Sequence, residues 1–123
     1  SSAPCVLSVE GINGTVHDRS GLPIQVHAGA FRSYPQSVSC LSGDVVSSIV
    51  DLNVSPAVLK RDGFDLRLLD SSGVEVHRFT DVSVPGTSFK LWLKTSGLGA
   101  GKYRLRGKVG KRESDLELVV YPR

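Results

Sequence analysis

A chain of 123 residues suits one domain and leaves little room for a second, because single domains typically hold about 100–150 residues. Its 40% hydrophobic and 22% charged residues fit an ordinary globular fold, and no apolar run approaches the roughly 20 residues of a membrane-spanning helix. The net charge of +3 is unevenly spread, with −1 in residues 1–62 and +4 in residues 63–123. That asymmetry is too weak to indicate nucleic-acid binding.

Alternation of apolar and polar residues predicts β-strands through most of the first half of the chain. These strands are expected near residues 6–9, from 14 onward, at 22–31 and at 46–54. Pro35 predicts a loop over 32–37, because proline cannot donate a hydrogen bond to a strand ladder. The one helical pattern covers 56–61, where Ser55 can cap the helix and Pro56 suits its first position.

The second half alternates more regularly and predicts five further strands. They are expected at 64–70, 74–79, 89–94, 102–109 and 114–120. The total of seven to nine strands with turn residues between them indicates an all-β fold, a single antiparallel β-sandwich of immunoglobulin-like or transthyretin-like type. We expect a flexible segment over residues 1–4 and one sandwich domain over 5–123.

Motifs that would indicate catalysis or metal binding are not evident. The three histidines His17, His27 and His77 fall in different predicted strands, without the spacing of a metal site. No serine lies in the glycine-flanked motif of a nucleophile elbow. The sequence therefore predicts a binding module without a cofactor or a metal ion, and not an enzyme.

Aromatic residues are the first candidates for contacts with a partner. Trp92 alternates with Leu91 and Leu93 and is expected on the opposite face, between Lys90 and Lys94. It is either an anchor for a protein partner or a ring covered by lysine stems or by a second buried face. Phe31 and Tyr34 flank the predicted loop and are weaker candidates of the same kind.

Basic residues and cysteines supply two further predictions. Four basic side chains alternate along one strand and indicate a face for an anionic partner: Lys102, Arg104, Arg106 and Lys108. The alternative is ordinary cross-strand pairing with Asp115 and Glu117. Cys5 and Cys40 are compatible with one disulfide in an oxidising compartment, or with two buried thiols.

Two segments resemble known modules. The hairpin sequence of residues 69–76, followed by Leu98-Gly99-Ala100-Gly101-Lys102-Tyr103, is similar to bacterial immunoglobulin-like and transthyretin-like modules. This resemblance implies a fold and assigns no function. It leaves open a structural or adhesive module of a larger bacterial surface or secreted protein.

A second resemblance covers residues 14–84. Gly14-Thr15-Val16, Leu22-Pro23, Val54-Ser55-Pro56-Ala57-Val58 and the stretch from Leu66 to Gly73 resemble the YscW-type lipoproteins, the pilotins of type III secretion systems. The family implies a lipid-anchored protein at the periplasmic face of the outer membrane that binds a secretin subunit and assists its assembly. The residues Ser1-Ser2-Ala3-Pro4 are similar to those that follow a lipidated cysteine, which would precede Ser1; otherwise the start of the sequence is arbitrary.

Overall fold

The computed structural model describes residues 6–11, 29–79 and 82–123, which form two packed β-sheets and one short helix. The elements are β1 (Val6–Gly11), β2 (Phe31–Tyr34), β3 (Ser37–Leu41), β4 (Val45–Leu52), α1 (Pro56–Asp62), β5 (Asp65–Asp70), β6 (Glu75–Phe79), β7 (Ser88–Lys94), β8 (Gly101–Val109) and β9 (Arg112–Tyr121). The predicted all-β sandwich is confirmed, with nine described strands and the helix where Ser55 and Pro56 predict it.

The strands are arranged in one four-stranded sheet, in the order β1-β7-β4-β2, and one five-stranded sheet, in the order β3-β9-β8-β5-β6. Each sheet is built around a central strand, β7 in the first and β8 in the second, that carries long ladders on both sides. The pairing of β3 with β9 is parallel and departs from the antiparallel arrangement expected for the whole sandwich.

The prediction of a loop over residues 32–37 is wrong. β2 continues to Tyr34 and β3 begins at Ser37, so Pro35 and Gln36 alone make the connection. The chain passes there from the four-stranded sheet to the five-stranded sheet, which places the proline between two ladders and not inside one. Of the predicted strand at 22–31, residues 22–28 lie outside the described residues, as does the strand expected from residue 14.

The core lies between the two sheets and is filled by the inward residues of alternating strands. Phe64 packs edge-on against two other rings, with centroid distances of 6.5 Å to Phe31 and 5.7 Å to Phe89. Gly107 on β8 makes room for them, because an added Cβ would lie 2.6 Å from Phe31 and 2.9 Å from Phe64. A single position without a side chain therefore lets two aromatic rings approach the centre of the five-stranded sheet.

Local hydrogen bonds fix the ends of the elements. Ser55 Oγ accepts a hydrogen bond from Val58 N–H at 3.3 Å, and α1 ends at Gly63, whose φ of 74° favours glycine. The buried Thr95, just after β7, donates to the carbonyl of Asp44 and accepts from Gly43 N–H. Thr95 thus ties the end of β7 to the turn that joins β3 to β4.

Tyr103 makes a similar tie at the start of β8. Its hydroxyl donates to the carbonyl of Gly99 at 2.8 Å, while Leu98 is buried in the core. A tyrosine that bonds back to the backbone a few residues upstream is a recurrent corner of immunoglobulin-like sandwiches. The sequence pattern from Leu98 to Tyr103 therefore has a physical role, which is to fix the entry of the chain into β8.

Candidate functional site

Trp92 lies on the outer face of the four-stranded sheet, as its position between inward Leu91 and Leu93 predicts. Its register partners are Ser8 on β1 and Ser47 on β4. Both neighbours are small, so the tryptophan ring is the largest side chain across these three strands at this level of the sheet. The ring is half-buried and retains surface that another molecule can contact.

Two charged neighbours hold the Trp92 ring. Its Nε1–H donates to Glu10 Oε2 at 3.1 Å, and Lys90 Nζ lies 4.2 Å from the ring centroid. A cation over an indole face at an exposed site contributes about 0.5–1 kcal/mol. The sequence left open whether lysine stems cover Trp92; the structure places one lysine over the ring and leaves the side chain partly exposed.

The two weaker aromatic candidates separate in the structure. Tyr34 lies on the same outer face as Trp92, opposite Ile49, and its buried hydroxyl has no hydrogen-bond partner in the described part of the chain. Phe31 points inward, is 6% exposed and packs against Phe64. The expectation that Phe31 contacts a partner is therefore wrong, because β2 starts there and turns that side chain into the core.

The outer face of the five-stranded sheet carries the predicted basic residues. Lys102 and Arg104 are exposed, whereas Arg106 and Lys108 are half-buried. In register, Arg104 faces Glu117, Arg106 faces Asp115 and Lys108 faces Glu113. Of these three pairs, the one that forms an ion pair is Arg106 with Asp115, at 2.8 Å. Hydrogen bonding from Arg106 to Asp115, and the charge of Asp115, raise the pKa of Arg106 above its ordinary value.

A row of arginines that crosses three strands of this face was not predicted from the sequence. Arg67 on β5 is the register partner of both Arg78 on β6 and Arg106 on β8. The alternation of β5 indicates that Arg67 points outward, but a single strand does not reveal which residues of other strands lie beside it. The strand order and register bring these three arginines into one row.

Cys40 is the one cysteine among the described residues, and its Sγ lies 3.5 Å from Thr95 Oγ1. Cys5 lies outside them, so the disulfide stays a prediction. His77 is half-buried on β6 and packs edge-on against Phe79, with ring centroids 4.7 Å apart; His17 and His27 lie outside the described residues.

No three His, Cys, Asp or Glu side chains within 6–11, 29–79 and 82–123 lie close enough together to hold a metal ion. In the same ranges no helix has the length and apolar character needed to cross a membrane. The expectations of no metal, no cofactor and no catalysis stay predictions.

Comparison with known proteins supports the fold but identifies no family for this chain. No family model matches the sequence, and no curated protein matches it. CopC from Methylosinus trichosporium OB3b superposes with a TM-score of 0.50 at 19% sequence identity, over 79% of this chain and 96% of that chain. The M1 domain from titin gives a TM-score of 0.43 at 13% identity, over 77% and 96%.

The CopC likeness, at this low identity, supports the β-sandwich fold alone. The pilotin resemblance, its secretin partner and its outer-membrane location therefore stay predictions.

Proposed function

We propose that the chain is a non-enzymatic, immunoglobulin-like module of a larger bacterial surface or secreted protein. In this proposal it binds a protein partner through the outer face of the four-stranded sheet. The fold supports a structural or binding role, because the sandwich presents two broad sheet faces and its inward side chains are used for packing.

The observation that carries the proposal is the setting of Trp92. A tryptophan offers a large contact area, and residues of this type are enriched among those that dominate binding energies. Glu10 and Lys90 hold the ring in one position, so binding would cost less conformational entropy than for a freely rotating side chain. Ser8 and Ser47 on either side leave room for a partner to reach the ring.

The surroundings of Trp92 indicate the chemistry of the partner. Lys90 and the exposed Lys94 flank the tryptophan along β7, and Arg32 lies on the same face of β2. Glu10 is engaged with the tryptophan, and Asp51 accepts a hydrogen bond from Ser88 at 2.7 Å. The partner is therefore expected to present an apolar pocket for the ring with carboxylates around it.

The test is affinity purification of the full-length natural protein from its host's solubilised envelope, followed by mass spectrometry. Trp92→Ala is expected to reduce recovery of the specific partner about tenfold or more, as for a central binding residue. The matched control is Tyr121→Ala, which removes another exposed aromatic side chain from the five-stranded sheet. Equal recovery with both variants, or equal loss with both, would exclude the Trp92 face as the binding surface.

The same experiment separates the module from the pilotin. Further domains on the same polypeptide as the bait support the module. Recovery of a secretin subunit together with an acylated cysteine upstream of Ser1 would overturn the module and support the pilotin instead. The Trp92→Ala comparison then reports whether the same face is used.

A further inference from the structure

Three arginines lie side by side on the outer face of the five-stranded sheet. Arg67 on β5 is paired in register with Arg78 on one side and with Arg106 on the other. Side chains directly opposite each other in a sheet have Cβ atoms about 4.5–5.5 Å apart, and like charges in such positions repel. The row is therefore unfavourable unless each guanidinium group finds a negative partner.

The two outer arginines of the row have such partners. Arg106 donates from Nε and Nη2 to the two carboxylate oxygens of Asp115, at 2.8 and 3.1 Å. Arg78 donates from Nε to Glu75 Oε1 at 3.2 Å, and its Nη2 lies 3.2 Å from the same oxygen. Both charges are thus compensated within the protein.

The central arginine is not satisfied in the same way. Arg67 Nε is buried and has no hydrogen-bond partner among the described residues. Arg67 forms a long ion pair with Glu113, whose Oε1 lies 3.8 Å from Nη2, too far for a hydrogen bond. The side chain as a whole is 25% exposed, so its outer guanidinium nitrogens border solvent while Nε does not. A buried donor without an acceptor is unusual and leaves the charge of Arg67 less well compensated than those of its neighbours.

Arg104 supplies a second guanidinium group close by. It lies opposite Leu69 on β5, two residues along from Arg67, and such diagonal neighbours are about 7–8 Å apart. Arg104 is exposed and forms no ion pair within the described part of the chain, although Glu117 lies opposite it. It also lines a surface cleft with Lys102, Ser71 and the carboxylate Glu117; Arg67 lies outside that cleft.

We propose that Arg67 and Arg104 together bind a tetrahedral oxyanion, phosphate or sulfate, on the outer face of the five-stranded sheet. Guanidinium groups present their N–H donors in a planar fork that matches such anions, and the bonds are strengthened by charge. An anion held by the outer guanidinium nitrogens of Arg67 would offset the repulsion within the row. This site is independent of the Trp92 face, which lies on the other sheet.

The test is a titration of the intact, ¹⁵N-labelled chain with inorganic phosphate and with inorganic sulfate, followed through the arginine Nε–Hε signals. Chloride at matched ionic strength is the reference. We expect saturable shifts of the Arg67 and Arg104 signals with phosphate or sulfate and none with chloride. Shifts that do not saturate, or that chloride reproduces, would overturn the site.

Variants separate a built site from general attraction to positive charge. Arg67→Lys keeps the charge and loses the fork, so the affinity for phosphate should fall about tenfold or more. Lys94→Gln removes one charge from the other sheet and should change the affinity less than twofold. Unchanged affinity in Arg67→Lys, or an equal loss in Lys94→Gln, would contradict the proposal. Backbone spectra of each variant report whether the fold is retained.

Glu113→Gln should raise the affinity for phosphate, whereas Arg67→Lys should lower it. Glu113 forms the long ion pair with Arg67, and it competes with a bound anion for that guanidinium group. Its replacement should tighten phosphate binding several-fold, whereas weaker or unchanged binding counts against a site centred on Arg67. Repeating the titration with a sulfated oligosaccharide distinguishes two sources of the anion. If the site takes an anion carried by a sugar, the oligosaccharide should saturate it at a lower concentration than inorganic sulfate does. If the site takes the free ion, the oligosaccharide should bind no more tightly than inorganic sulfate.

Discussion

The central strands of the two sheets, β7 and β8, follow the same pattern but present different surfaces. Both send apolar side chains inward and cationic side chains outward at alternate positions. Beside the outward residues of β7 lie Ser8 and Ser47, small neighbours of a half-buried tryptophan. Beside those of β8 lie the carboxylates of β9 on one side and Arg67 of β5 on the other.

This difference shows that a strand's own alternation decides which way its side chains point, whereas its register partners decide what the outward side chains do. Lys90 lies over an aromatic ring, while Arg106 is held by a carboxylate. The first arrangement preorganises an aromatic contact for a protein. The second compensates the charge of Arg106 fully, whereas Arg67 has only a long ion pair with Glu113 at 3.8 Å and a buried Nε without a partner among the described residues.

The largest expected effect is a loss of stability from a change in the core, which the inward side chains of both β7 and β8 fill. Leu91 on β7 is 2% exposed, and Leu91→Ala should lower the free energy of unfolding by about 2–5 kcal/mol, because it removes buried methyl groups and leaves a cavity. Urea denaturation measures the change. Lys94→Ala, at an exposed position of the same strand, should stay within about 0.5 kcal/mol. A loss below 1 kcal/mol for Leu91→Ala would mean that β7 is not a core strand.

The second prediction tests the inner face of β8, which differs from that of β7 by a glycine. The new methyl group of Gly107→Ala would clash with Phe31 and Phe64, and overpacking of this kind costs about 1–3 kcal/mol. Gly86→Ala is the control, because nothing lies within 4 Å of an added Cβ there. Combining Gly107→Ala with Phe31→Leu should cost less than the sum of the two changes. Strict additivity would show that the Phe31 ring does not contact Gly107.

Much of this architecture follows from the sequence, because alternation is a local property. The inward residues of β4, β5, β7, β8 and β9 and the helix after Ser55 agree with the predicted pattern. β3 was missed because its residues Ser37–Leu41 alternate between exposed and half-buried at a sheet edge, directly after Pro35. Its parallel pairing with β9 joins residues about 80 positions apart in the sequence, which no local pattern encodes.

The candidate sites were predictable to different degrees for the same reason. The outward position of Trp92 follows from β7 alone, but its bond to Glu10 depends on the pairing of β1 with β7. Phe31 was misassigned because the predicted pattern makes it the last residue of a strand before a loop, whereas β2 begins at Phe31 and continues to Tyr34. The arginine row requires the register of three strands, so Arg67 gave no signal in the sequence beyond its outward alternation.

The third prediction concerns the hydroxyl that ties the end of β7. Thr95→Val keeps the volume and removes the bonds to the carbonyl of Asp44 and from Gly43 N–H. Because the partly buried Gly43 N–H is left without its acceptor, the expected loss of stability is about 1–3 kcal/mol, measured by urea denaturation. Thr87→Val is the control, since the backbone carbonyl of Thr87, and not its hydroxyl, accepts from Leu52 N–H. Equal losses in both variants would show that the Thr95 hydroxyl does not tie this corner.

The smallest effect distinguishes two neighbouring charge pairs on β8 and β9. A double-mutant cycle on Arg106 and Asp115 should give a coupling energy of about 0.2–1 kcal/mol, and it should weaken in about 1 M salt, where the Debye length falls to about 3 Å. The same cycle on Arg104 and Glu117 should give a coupling near zero, because these residues face each other without forming an ion pair. Both cycles use urea, which adds no ions. If the Arg104 coupling equalled that of Arg106, the outer face of β8 would be a continuous ladder of ion pairs, and Arg104 would not be available to an external anion. A clear difference would instead show that its guanidinium group is free for a ligand, as the oxyanion site requires.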